Sequence, residues 1–68
     1  MDKWHLLYSI QNLAKASIIK GMLEENNVPV MLVNKQSSSY VIFGEIELYV
    51  PDLLKDIARH LIDQGLVN

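Results

Sequence analysis

Six residues constrain this chain more than any others: Glu45-Ile46-Glu47-Leu48-Tyr49-Val50 alternate polar-tipped and aliphatic side chains without a break. In an extended strand successive side chains point to opposite faces, so Ile46, Leu48 and Val50 turn to a core and Glu45, Glu47 and Tyr49 to solvent. Pro51 follows at once, suited to the first helical position, and Asp52 sets a negative charge near the positive helix end. The helix so started has Leu54, Ile57, Ala58 and Leu61 as its buried row, with Leu53 and Ile62 flanking. Lys55, Asp56, Arg59 and Asp63 form its wet side. Gly65 is the expected C-cap, leaving Leu66-Val67-Asn68 as a short tail.

Upstream, Lys3 to Ile10 is rich in aromatic and aliphatic residues and contains no breaker, which suits a first strand. Trp4, Leu6, Tyr8 and Ile10 share one parity and His5, Leu7 and Ser9 the other. The first set is uniformly apolar and is assigned to the core. Asn12 is the expected N-cap of a helix over Leu13 to Glu25, in which Ala14, Ile18 and Met22 make an i, i+4 row widened by Ile19 and Leu23. Asn26-Asn27 and Pro29 stop it. Val28 to Val33 then reads as a second strand, apolar on both faces. Asn34-Lys35-Gln36-Ser37-Ser38-Ser39-Tyr40 reads as a polar loop, and Val41-Ile42-Phe43 as strand again before Gly44 breaks it. The order is β-α-β-β-α in one domain spanning 1–68. The first two strands, joined by a helical crossover, are expected parallel, and the third antiparallel to the second.

The residues that punctuate this order carry a resemblance. Trp4 and Tyr8-Ser9, then Ala16, Ile19, Gly21 and Leu23-Glu24, are followed by the Asn34–Tyr40 loop, Phe43-Gly44 and Leu48-Tyr49-Val50-Pro51. This series resembles a family of short bacterial proteins of unknown function, the putative prokaryotic signal-transducing proteins. The Asn-Lys-Gln-x-Ser-Ser-Tyr segment is its most specific part. The resemblance implies an α+β, ferredoxin-like (PII-like) sandwich. Its three-stranded, mainly antiparallel sheet has order 2-3-1, with both helices on one face. It brings no catalytic residue and no cofactor. The parent fold usually ends in a fourth strand, and here only Leu66-Val67-Asn68 are left to supply it, so that strand is expected to be short or absent.

Charge and size exclude several functions. A formal charge of −2 at pH 7 and no basic stripe speak against a grip on nucleic-acid phosphates. The β-α-β-β-α order also opens RNA-recognition domains, and Tyr49 stands where such a domain stacks a base. However, Glu45 and Glu47 flank it and repel phosphates, and the basic-glycine-aromatic run is missing. No apolar run approaches the roughly 20 residues that span a bilayer, and Met1-Asp2-Lys3-Trp4 shows no signal-peptide architecture, so a cytoplasmic domain with no membrane partner is expected.

Candidate chemistry is thin. Ser9 and His5 lie four residues apart on one strand, roughly 13 Å, out of reach for a nucleophile and its base. Asp56, His60 and Asp63 share a helix side, a spacing that solvated charge pairing explains better than a metal. No glycine-rich phosphate loop is present. Neither a catalytic residue nor a metal or cofactor is therefore expected. The Asn34, Lys35, Gln36, Ser37, Ser38, Ser39 and Tyr40 loop gathers donors and one cation on a rigid scaffold, and by analogy with PII-type proteins it is the expected recognition element for a protein or small ligand.

Sixty-eight residues bury too little surface for comfort, and with no cysteine to form a disulfide the chain is expected to self-associate as a homodimer. The expected oligomer face is His5, Leu7, Met31, Val33 and Tyr49, the sheet side opposite the helices. The leading expectation is a non-enzymatic interaction or regulatory module. The competing one is an enzyme or enzyme subunit whose site forms only between subunits.

Overall fold

The computed structural model describes residues 3–35 and 45–65. Gln36 to Gly44, which hold most of the serine-dense loop and the Val41-Ile42-Phe43 extension, and the tail from Leu66, lie outside the described residues. The order is β1 (Trp4–Ile10), α1 (Leu13–Glu25), β2 (Met31–Asn34), β3 (Ile46–Pro51), a short 3-10 turn (Asp52–Leu54) and α2 (Lys55–Gly65).

The alternating segment forms the centre of the sheet. β3 pairs antiparallel with β1 on one side and with β2 on the other, giving the order β1-β3-β2. Both neighbours run against β3 and so run parallel to each other, as a helical crossover requires. Ile46, Leu48 and Val50 have no exposed surface. They share a core with Ala16, Ile19 and Leu23 of α1, Ala58 and Ile62 of α2, Leu7 and Val28. The helices cover that face. The architecture is α+β, a small ferredoxin-like arrangement.

Helix ends follow the local chemistry. The Asn12 side chain accepts from the Lys15 N–H at 3.0 Å, taking up one of the amides left free by the first turn. At the other end Asn27 adopts φ 65, the left-handed conformation, without being glycine. Its N–H reaches Glu24 O and the Val28 N–H reaches Leu23 O, while Val28 buries itself in the core. This is the paired-bond C-terminal motif in which a hydrophobic residue beyond the cap packs back onto the helix.

Four expectations need correction. First, α1 is turned about its axis: Ala16, Ile19 and Leu23 are buried, Met22 is half-buried, and Ala14 and Ile18 are exposed. Apolar residues occur on nearly every side of this helix, and the stripe through Ala16, Ile19 and Leu23 is the one that packs into the core. Second, α2 buries Ala58 and Ile62, with Leu54 and Leu61 half-buried, and leaves Ile57 exposed. Third, Pro51 is the last residue of β3, opposite Trp4, and stands before the 3-10 turn as its N-cap rather than at a first helical position, while Gly65 is the last residue of α2. β2 also begins only at Met31, after Pro29, which lacks a ladder donor.

The fourth correction is the face of β1. Its register with β3 shifts between Leu6 and Tyr8, so Leu7 and Tyr8 together stand against Leu48. Such a bulge puts two residues opposite one and breaks the two-residue alternation. Before it, Trp4 and Leu6 lie on the side of Tyr49 and Pro51; after it, Tyr8 and Ile10 lie on the side of Leu48 and Ile46. Leu7 is buried, whereas Trp4 and Leu6 are each 44% exposed. No single parity assigned to β1 satisfies both halves.

Candidate functional site

The connection between β2 and β3 leaves the sheet after Asn34 and returns at Ile46, directly opposite. One step beyond, the Lys35 N–H donates to the Glu45 carbonyl at 3.0 Å, so the mouth of the loop is closed by the ladder itself. Side chains reinforce that closure. The Ser9 hydroxyl donates to the Glu45 carboxylate at 2.5 Å, tying β1 to the same corner. Glu47 receives two partners on one oxygen, Oε1: the Tyr49 hydroxyl at 2.8 Å and the Lys35 ammonium at 3.3 Å.

Strand periodicity explains why these groups meet. Glu47 and Tyr49 occupy alternate positions of β3 and so share the uncovered face, and Glu45, just before the strand, continues their spacing. Val33 stands opposite Glu47 and Met31 opposite Tyr49 on β2, while Ser9 and Leu6 oppose the same two residues on β1. Cross-strand neighbours on one face lie within side-chain reach of each other. The Lys35 side chain is 58% exposed, whereas that of Glu47 is only 15% exposed, so the ammonium stands at the mouth with its partner sunk behind it.

The electrostatics follow from these bonds. The Tyr49 hydroxyl, with the Lys35 charge adding to it, holds the Glu47 carboxyl below its usual 4.5, against a smaller opposing effect of desolvation. The same bond from the other end raises the Tyr49 phenol above its usual 10.0. The signs give a pH window. A depressed carboxyl contributes stability that is present above pH 4.5 and lost as pH falls through its folded value; a raised phenol contributes stability present below pH 10.0 and lost as pH rises through its folded value. Thermal unfolding followed from acid to alkaline pH should therefore fall off at both ends. Tyr49→Phe should weaken both limbs. Identical profiles for the two proteins would show that this bond does not form in solution.

Of the expected recognition residues, Asn34 and Lys35 sit at this corner, and Gln36, Ser37, Ser38, Ser39 and Tyr40 lie outside the described residues. Of the expected oligomer face, Met31, Val33 and Tyr49 are on the uncovered side. Leu7 is not, being 5% exposed in the core, and His5 stands opposite Val50 on the helix-covered side. The bulge exchanges them for Trp4 and Leu6, and nothing in the local alternation signalled it. The roles of Ser9, Glu45 and Glu47 were also missed. Their signal is cross-strand pairing, which needs the register.

The remaining candidates are scattered. His5 Nδ1 is 3.9 Å from Asp52 Oδ1, which Lys55 also approaches at 3.3 Å, at the far end of β3. Ser9 faces the opposite side of the sheet from His5. Asp56, His60 and Asp63 are exposed on α2, and among the described residues no three His, Asp or Glu side chains converge as metal ligands. No described helix is long and apolar enough to cross a membrane.

Comparison with known proteins gives one match. The family model described as "Putative prokaryotic signal transducing protein" matches residues 4–65, which takes in every strand and helix described above. Neither the curated proteins nor the solved structures give a match.

Proposed function

The chain belongs to the family of putative prokaryotic signal-transducing proteins, and from that premise we propose that it is a non-enzymatic regulatory module that binds a small ligand or a protein at the base of the Asn34–Tyr40 loop. The observation that carries this reading is the placement of Lys35. Its side chain is more than half exposed, yet the residue is held at two points, its backbone N–H on the Glu45 carbonyl and its ammonium on the Glu47 carboxylate. A pre-positioned cation on a rigid strand end loses little freedom when it takes up a ligand. An ammonium carries three donors, so donors beyond the one given to Glu47 remain for an incoming acceptor. Catalysis usually gathers perturbed titratable groups in a shielded pocket. Here the described histidines stand apart from this corner, and the Tyr49 hydroxyl and the Lys35 ammonium already occupy Oε1 of the Glu47 carboxylate.

A thermal-shift screen against ATP, ADP, AMP and small dicarboxylates tests the reading. At least one probe should raise the melting temperature of the wild type, and Lys35→Ala should abolish that rise. The ion pair with Glu47 has its cation in solvent, so the unliganded variant should stay within about 1 kcal/mol of the parent. A larger loss would make Lys35 a structural residue, and turnover of any probe would sink the non-enzymatic reading.

A further inference from the structure

The loop-base corner holds more negative charge than positive. Lys35 sets one ammonium against the carboxylates of Glu45 and Glu47, and residues 36–44, between Lys35 and Glu45, contain no charged side chain. That ammonium goes to Glu47, at 3.3 Å. Glu45 stands directly across from Lys35, one step past the Asn34–Ile46 pair, yet among the described residues no cation pairs with it. It is exposed, and the Ser9 hydroxyl of β1 holds one of its two oxygens. A carboxylate accepts at both oxygens and an ammonium has three donors, so Glu45 and Lys35 each keep capacity for a ligand.

Residues opposite each other on neighbouring strands have their Cβ atoms about 4.5–5.5 Å apart, so one small molecule reaches both groups. A ligand with negative charge alone matches Lys35 but is repelled by Glu45. A ligand with positive charge alone matches Glu45 and leaves the Lys35 donors unused. Only a molecule carrying both signs is complementary to the whole corner. From this we infer that the ligand class of the corner is a small carboxylate that also bears an ammonium group, as an amino acid does. Its carboxylate takes the spare donors of Lys35, and its ammonium takes the free oxygen of Glu45. The inference rests on the loop-base reading and adds Glu45 to it as the residue that sets specificity. The new contact is exposed, and exposed ion pairs change affinity by about two- to fivefold.

Matched probes isolate the ammonium group: aspartate differs from succinate, and alanine from propionate, by that group alone. Titration calorimetry at neutral pH and fixed ionic strength, with folding checked by circular dichroism, compares the four on the wild type and two variants. The wild type should bind aspartate about two- to fivefold more tightly than succinate, and alanine more tightly than propionate by a similar factor. Glu45→Gln has the same shape at an exposed site and keeps an acceptor for Ser9, but it removes the charge and should bring each pair level. Lys35→Ala should abolish binding of all four. Succinate bound as tightly as aspartate, with its dependence on Lys35 intact, overturns the ammonium contact and leaves the loop-base reading standing. A preference for the amino compounds that survives Glu45→Gln also overturns it. If neither these four nor the nucleotides bind the wild type, the loop-base reading and this inference fall together.

Discussion

Leu48→Ala should lower stability by about 2–5 kcal/mol and leave much of the protein unfolded at room temperature. Leu48 is wholly buried in the central strand, with Leu32 opposite on β2 and the bulged Leu7-Tyr8 pair opposite on β1. Truncation removes three carbons from a site hemmed in by sheet and helices alike, so collapse cannot fill the cavity. Domains of this size have little stability to lose. Urea denaturation followed by circular dichroism measures the effect. A midpoint unchanged from the parent would mean that β3 does not present this face to the helices.

The second large effect separates neighbours. Leu7→Ala should cost about 2–5 kcal/mol, whereas Leu6→Ala, at a residue 44% exposed, should cost at most about 1 kcal/mol when measured on dilute protein. Only a register shift makes two adjacent leucines of one strand differ in this sense while Ile10, three residues on, still packs against the core. In a strand without the bulge, Leu7 and Ile10 would lie on opposite faces. The reverse order of costs, Leu6 above Leu7, would place the unbroken alternation in solution.

These two residues also mark what was legible in the sequence. The order of elements, the limits of α1, its Asn12 cap and the inward set on β3 follow from local chemistry, and the structure has them so. Sheet order and the ferredoxin-like arrangement came with the resemblance, and the structure agrees. Facing was harder wherever a segment is apolar on more than one side. On α1 the stripes through Ile18 and Ile19 compete, and only tertiary packing chose the second. On β1 the bulge moved half the strand to the other face, a feature of pairing that one strand read alone does not carry. The candidate site was legible as a polar segment containing Lys35. Its corner, in which Ser9 and Lys35 meet Glu45 and Glu47, depends on two registers at once.

Trp4 offers the most direct test of the claim that β1 changes face at its bulge. It is the chain's only tryptophan, and it stands 44% exposed on the uncovered side of the sheet. In dilute protein its emission should lie near that of a solvated indole, and acrylamide should quench it readily. An emission at short wavelength that acrylamide barely quenches would place Trp4 in the core, with the unbroken alternation of Trp4, Leu6, Tyr8 and Ile10, and would contradict the account.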